Sequence, residues 1–381
     1  MTKRIMTVYG TRPEAIKVAP VIKALEASAE LDSITVVTGQ HREMLDQVNE
    51  IFGITPDHDL NVFAHRQTLN ALMSKVFDGL DAVLESEAPD AVVVQGDTST
   101  VAAASIAAFY RQIPVVHVEA GLRSGDISSP FPEEANRKIT SQVTALHLAP
   151  TSTSRDNLLR ENVDPATIAV TGNTVIDALF HTVEQDIPFN DPALKEIEAS
   201  GRPVLLVTTH RRENWHVMEV VGRAVARLAR ELPHYSVVLP AHRNPIVRDA
   251  VLPALEGLEN VLVTEPLAYG EFTRMMAAST IVLTDSGGVQ EEAPSLGKPV
   301  LVMRENTERP EAVDAGTVKL IGTDEERIVA EVSRLATDSA HYASMANAVN
   351  PYGDGAAAAR SVAAIGHLLG VDDRLPDFDP R

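Results

Sequence analysis

Two doubly wound α/β domains facing a central cleft are what this sequence predicts, and three observations carry the prediction. Apolar runs rich in Val and Ile recur along the chain and alternate with helical patterns. The runs are nearly continuous in apolar character, as expected of parallel strands covered on both faces. The chain has 381 residues, more than the roughly 100–200 that one core ordinarily serves, so a division into two domains follows.

The first run closes on the glycine turn GTRPEAIKVAP, where Pro13 suits the start of a helix. ITVVTG from Ile34, AVVVQG from Ala91, PVVHVEAG from Pro114 and IAVTGN from Ile168 continue the series, making a first domain over residues 1–180. The polar stretch HTVEQDIPFNDPALKEIEASGRP then interrupts the pattern near residues 180–200. A second series begins with VLLVTTH from Val204 and runs through YSVVLPAH, NVLVTEP and TIVLTDSGG to PVLVMRE from Pro299, a second domain over 200–355. The helical stretch from Ala356, over about 356–370, is expected to pack back on the first domain. Both domains read as Rossmann-like parallel sheets, in which ligands sit beyond the carboxyl ends of the strands.

Composition narrows the chemistry. Cysteine is absent, which removes disulfides, thiolate catalysis and cysteine-ligated zinc, and leaves carboxylates, histidines, hydroxyls and basic groups. With 53 acidic against 33 basic residues the net charge is −20, which argues against nucleic acid or an anionic membrane as partner. A phosphorylated ligand would therefore need a local arginine site. The uncharged stretch Thr98–Tyr110 is well short of the ~20 residues that span a bilayer. Arg12 and Glu14 break the N-terminal apolar run before it can act as a signal segment, so a cytoplasmic location is expected.

The strongest local signal is TIVLTDSGGVQEEAPSLGKP. A buried strand leads through Ser286, Gly287 and Gly288 into a helix, whose free N–H groups suit phosphate oxygens, and Glu292 stands about one turn in, where it can accept from ribose hydroxyls. A plain tight turn is the alternative. The turn after the first strand offers Arg12 and Lys17 as phosphate partners, although taken alone such residues more often face solvent; it is neither G-x-G-x-x-G nor a P-loop, so nicotinamide dinucleotides and Mg-ATP lose support. Three carboxylates gather at the same edge of the first sheet: Asp97 ends AVVVQGD, Glu119 ends PVVHVE, and Glu133 is placed in the loop SPFPEEANR. Acids just after buried strands suit acid/base catalysis, while helix capping is an equal alternative for Asp97 and Glu119. His210 and His242, each beside arginines at a strand end, can bind a pyrophosphate or share in proton transfer, and His242 can equally cap a helix. No HExxH or closely spaced ligand set points to a metal. TGQHREML and ERPEAV also follow strands, so both can face the cleft, although on physics alone such a segment is more often a solvated loop.

These motifs together give the chain a strong resemblance to the bacterial and archaeal non-hydrolysing UDP-N-acetylglucosamine 2-epimerases. It runs through GTRPEAIK, TGQHREMLDQV, QGDT, HVEAGLRSGD, PEEANR, TGNTVIDAL, HRREN, LTDSGGVQEEAPSLGKPVLVMRENTERPEAV and NPYGDG, nearly the whole length. The resemblance implies a fold like that of the GT-B glycosyltransferases, a homodimer, no cofactor, and UDP-N-acetylglucosamine and UDP as ligands. By matching motifs, Arg12, Lys17, Phe272, Ser286, Gly287, Gly288, Glu292 and Arg309 would hold UDP. Asp97, Glu119, Glu133 and His210 would surround the reacting sugar. Gln40, His41, Arg66 and His242 match a regulatory site for the same nucleotide sugar found in some members. One departure is Leu267, where some members carry glutamine, which bears on a uracil contact. The family's reaction eliminates UDP across C1 and C2 to 2-acetamidoglucal and re-adds it, and its product usually feeds polysaccharide synthesis.

Overall fold

The computed structural model describes residues 2–39, 42–64, 67–209 and 211–380. The chain forms two compact units, one of residues up to Ala178 together with Tyr352–Pro380, the other of Leu179–Pro351. Each is built on a parallel sheet, the fold class the sequence predicts.

In the first unit the strands are β1 (Lys3–Tyr9), β2 (Leu31–Val37), β3 (His58–Asp59), β4 (Ala91–Gln95), β5 (Val115–Val118), β6 (Leu146–Ala149) and β7 (Ile168–Val170). They stand in the order β3-β2-β1-β4-β5-β6-β7, with parallel pairing throughout. Their β-branched sequences suit strands with helices on both faces, and every residue of β4 is buried. The order reverses between β1 and β4, so the turns after these two strands bound the crevice where doubly wound sheets take ligands.

Those turns are held by one carboxylate. Thr11 and Glu14 form a capping box at the start of the helix Arg12–Glu26. Glu14 is only 2% exposed and accepts the N–H groups of Gly10 at 2.8 Å and Thr11 at 2.7 Å, and the Thr98 hydroxyl at 2.5 Å. The turn after β1 is thereby tied to the turn after β4, and burial raises the pKa of the carboxyl that ties them. Gly10 has no room for a side chain: a Cβ there would lie 2.0 Å from Thr38 Oγ1.

The C-terminal helix Ala357–Leu368 returns to this unit. Its residues Ala358, Ala364 and Ile365 share a core with Ile5, Val21 and Val116. Asp177 accepts the first-turn N–H groups of Ala357 and Ala358 at 3.2 and 2.8 Å, where a helix start favours an acid.

Behind the crevice, His117 on β5 pairs in register with His147 on β6, and both are 1% exposed. Burial pulls their pKa values down to about 4 and about 3, so both rings are neutral at pH 7. These values lie below the ordinary 6.5, so the unfolded chain takes up protons first as pH falls. Stability from this source is complete above about 6.5 and is lost as pH drops toward 4 and 3, at a cost of ~2 kcal/mol per ring by pH 5. His147→Leu should therefore lose ~2 kcal/mol less than the parent between pH 7 and pH 5 in urea unfolding. Glu14 and Asp177 titrate in the opposite sense but cancel in this comparison. Equal pH slopes for the two proteins would refute the assignment.

The second unit contains β8 (Val204–Thr208), β9 (Ser236–Pro240), β10 (Val261–Thr264), β11 (Ile281–Thr284), β12 (Val300–Val302) and β13 (Val318–Leu320). The order is β10-β9-β8-β11-β12-β13, again parallel. Here the reversal falls between β8 and β11, so the segments after Thr208 and Thr284 carry the switch point. The polar stretch around the helix Pro192–Ala199 belongs to this unit. Among the described residues no helix is long and apolar enough to cross a membrane.

Candidate active site

The first unit brings Asp97 and Glu119 to its switch point. The capping alternative for Asp97 does not hold, because Thr98 is the N-cap of the next helix, Ser99–Tyr110, and accepts the Val101 N–H. The Glu119 carboxylate lies over the turn after β4: a Cβ on Gly96 would be 3.8 Å from its Oε2. Glu119 is 8% exposed and is bonded to Lys17, to Gln95 at the end of β4, and to Asn173 Nδ2 at 3.2 Å. Its backbone has φ +63°, a left-handed conformation that costs a residue with a Cβ about 1–2 kcal/mol. The surrounding bonds hold it there, with the side chain over the sheet's end.

Asp97 is fixed from a different element. Asn136 donates to its carbonyl at 2.9 Å, and Arg137 pairs with its carboxylate. Both lie on the helix Glu133–Val143, so Glu133 opens a helix rather than lying in a loop. Segment SPFPEE approaches it through cis peptide bonds at Ser129–Pro130 and Phe131–Pro132. Glu133 is half-buried and makes no hydrogen bond or ion pair among the described residues, whereas its neighbour Glu134 is fully buried, accepts the Ser124 N–H at 3.1 Å and pairs with Arg137 at 3.0 Å. Burial would lower the pKa of Arg137, but Asp97 and Glu134 outweigh it and raise it.

Each carboxylate thus has its own cation, Arg137 for Asp97 and Lys17 for Glu119, which offsets the cost of desolvating it. Support extends outward. His117 donates from Nε2 to the Gly96 carbonyl at 2.7 Å, and the Tyr352 carbonyl of the NPYGDG segment accepts the Asn173 N–H at 2.6 Å. Arg123 of HVEAGLRSGD is turned to structure, bonded to Glu161 and Ser141.

The second unit carries the glycine turn. Ser286 is the N-cap of the helix Gly287–Ser295, with its hydroxyl unused for capping, and the first-turn N–H groups of such a helix lack acceptors within it. Arginines stand over the turn: a Cβ on Gly287 would fall 2.6 Å from Arg309 Nη1 and 3.3 Å from Arg211 Nη2. Arg309 also pairs with buried Glu291. This arrangement combines helix-end N–H groups with guanidinium forks, which suits a diphosphate. Gly287→Ala should push the arginine tips aside while leaving the sheet intact, because the atoms it meets end flexible side chains. Calorimetric titration should show inorganic pyrophosphate binding weakened about 10-fold or more with the melting temperature nearly unchanged; unaltered affinity would remove Gly287 from the anion site.

Glu292 is 8% exposed, and its Oε1 accepts the hydroxyl of Tyr269, itself buried, at 3.4 Å. Burial pushes the Tyr269 phenol well up, so it remains a donor that orients Glu292. Phe272 is half-buried one turn later on the helix Tyr269–Ala278. Arg12 opens its helix at the first switch point and is half-exposed. His242 follows β9, where its Nδ1 accepts the Asn244 N–H at 3.1 Å. His210, Gln40, His41 and Arg66 lie outside the described residues.

Sequence reading missed the residues that brace the acids, namely Arg137, Gln95, Asn173 and the two buried clamps. In the second unit the clamp is Asp285, fully buried, whose Oδ2 accepts the Arg211 N–H at 3.0 Å and the Thr209 hydroxyl at 3.1 Å, tying β11 to β8 as Glu14 ties β1 to β4. The Glu134–Arg137 spacing in PEEANR was a usable signal, since residues three apart share a helix face. The alternative reading of ERPEAV as a solvated loop fails: Arg309 is mostly buried and bonded, and Pro310–Asp314 is helical. A cavity of about 630 Å³ lined by Asp186, Glu198, Arg202 and Arg274 lies elsewhere, against Val204 and Thr280 at the opposite end of the strands.

Residues 23–366 match the family described as UDP-N-acetylglucosamine 2-epimerase. The chain is 50% identical over 372 residues to the UDP-N-acetylglucosamine 2-epimerase of Salmonella typhimurium, covering 95% of this chain and 98% of that protein. Its structure is similar to that of the UDP-GlcNAc 2-epimerase from Neisseria meningitidis bound to UDP-GlcNAc, with 46% identity, 96% of this chain and 100% of that one covered, and a TM-score of 0.84. It is also similar to the Methanocaldococcus jannaschii UDP-GlcNAc 2-epimerase in complex with UDP-GlcNAc and UDP, at 32% identity, 96% and 99% coverage and a TM-score of 0.76.

Proposed function

We propose that this chain, which belongs to the UDP-N-acetylglucosamine 2-epimerase family and is therefore an isomerase, interconverts UDP-N-acetylglucosamine and UDP-N-acetylmannosamine without hydrolysis. The observation that carries the reading is the pair of cation-braced carboxylates, Asp97 and Glu119, at the first unit's switch point. Inverting C2 requires a group to take its proton from one face and a group to return one to the other.

The reaction proceeds by elimination and re-addition. As the C2 proton leaves, its bonding pair forms the C1–C2 double bond, and the C1–O bond breaks with its electrons passing to UDP. The resulting 2-acetamidoglucal takes a proton at C2 from the opposite face while UDP adds back at C1. Asp97, Glu119 and Glu133 supply the proton transfers as a coupled set, so the base is a property of the group until single variants separate its members. His210 joins them at the sugar. UDP leaves with added negative charge, which the N–H groups after Ser286, with Arg309, Arg12 and Lys17, are suited to stabilise. Glu292, oriented by Tyr269, takes the ribose hydroxyls, and Phe272 lies along the base. The enzyme works as a homodimer, uses no metal or cofactor, and takes its substrate from the cytoplasm. A second nucleotide-sugar site around Gln40, His41, Arg66 and His242 activates it; hyperbolic kinetics without a lag on pure UDP-N-acetylmannosamine would remove that part.

The deciding experiment is proton NMR of UDP-N-acetylglucosamine with the purified protein in D2O. UDP-N-acetylmannosamine carrying deuterium at C2 is the expected product. Free N-acetylmannosamine with UDP would mean a hydrolysing enzyme, and intact, undeuterated substrate would turn the reading to a transferase or a nucleotide-sugar sensor.

A further inference from the structure

The arginines over the second unit's glycine turn are already holding an anion. Glu308 Oε1 lies 2.9 Å from Arg211 Nη2 and 2.9 Å from Arg309 Nη1, while its Oε2 lies 2.8 Å from Arg304 Nη1. The same two guanidinium tips, of Arg211 and Arg309, are those a Cβ on Gly287 would meet. A carboxylate shared by three arginines at the mouth of an anion site is a competitor for whatever that site takes.

We propose that Glu308 sets the affinity of this site as an internal competitor, its carboxylate filling the arginine array until the diphosphate of a nucleotide displaces it. The inference rests on the proposed reading of the glycine turn as a diphosphate site. Exposure supports an exchange: the Glu308 side chain is 48% exposed, against 7% for Arg304 and 17% for Arg309, so the acid can swing into water while the arginines stay. Local charge supports it too. Glu291 stays paired with Arg309 when Glu308 moves out, while Arg211, Arg304 and Arg309 each lose one carboxylate contact, so the departure makes the array more positive for an incoming anion. Burial alone would raise the pKa of Glu308, but Arg309, Arg304 and Arg211 hold it at about 2. At neutral pH the competitor is therefore always charged, and the exchange is a movement rather than a protonation. A nucleotide that must be gripped as a leaving group yet released at the end of each turnover is served by such a counterweight.

The test is calorimetric titration of the full chain, at neutral pH, with UDP and separately with inorganic pyrophosphate, comparing the parent with Glu308→Gln and Glu308→Asp. Glu308→Gln should bind both ligands about 5–20-fold more tightly, with a larger gain at low salt than at high salt. Glu308→Asp, one methylene shorter and still charged, should move the same way by a smaller factor. Unchanged or weaker binding in Glu308→Gln at an unaltered melting temperature overturns the inference; if that variant does not fold, unchanged or weaker binding in Glu308→Asp does so. If neither the parent nor the variants bind UDP or pyrophosphate, the reading of the turn itself fails and the inference falls with it, an outcome distinct from a parent that binds and variants that match it.

Discussion

Asp97→Asn is expected to bind UDP as the parent does and to turn over UDP-N-acetylglucosamine about 10²–10⁴-fold more slowly, the range that loss of one general acid or base produces. The substitution keeps shape. An amide oxygen can still accept from Arg137, and the Asn136 bond is to the backbone carbonyl, which does not change. What disappears is the carboxylate that follows β4. Initial rates from the NMR assay, set against UDP affinity by calorimetry, separate the two effects; a rate within a few-fold of the parent would take Asp97 out of the chemistry.

Glu119→Gln should be as damaging to turnover, about 10²–10⁴-fold, and should also cost roughly 1–3 kcal/mol of stability. The second effect follows from the partners. Lys17, Gln95 and Asn173 all present donors to this side chain. A carboxylate accepts from all three, whereas an amide turns its own N–H groups toward at least one and leaves Lys17 without its counter-charge. Adding Lys17→Met to Glu119→Gln should restore part of the stability and none of the turnover, a non-additivity readable by urea unfolding. Full stability in the single variant would show that the Lys17–Glu119 pair is not what holds the crevice together, and full activity would exclude Glu119 as a proton-transfer group.

The two carboxylates were visible in the sequence because each closes a Val-rich run, and an acid at the end of a buried strand is conspicuous on desolvation grounds alone. Likewise the glycine turn after TIVLTDS and the second glycine turn of GTRP could be read directly, since only a few residue types permit such turns. Periodicity settled the two parallel sheets, because continuous β-branched runs between helical segments leave little else for the chain to form.

Which residues brace the acids was decided only in three dimensions. Lys17 follows the first glycine turn in sequence, and only the fold shows that it bonds to Glu119, 102 residues away. Asp97 gains Arg137 across 40 residues, and Asn173 is held by the returning segment at Tyr352. Glu133 and Glu134 stand side by side in PEEANR, and only the helix start distinguishes them, burying Glu134 and leaving Glu133 half-buried. Glu308 looks solvated in sequence and becomes the shared partner of three arginines. The sequence by itself determined the two sheets, the turns at their ends and the types of group available there, because these depend on local propensity and on hydrophobic period. The pairing of each charge with its partner depended on strand order, which sets what lies beside each turn, and strand order is a property of the packed sheet that no stretch of sequence carries alone.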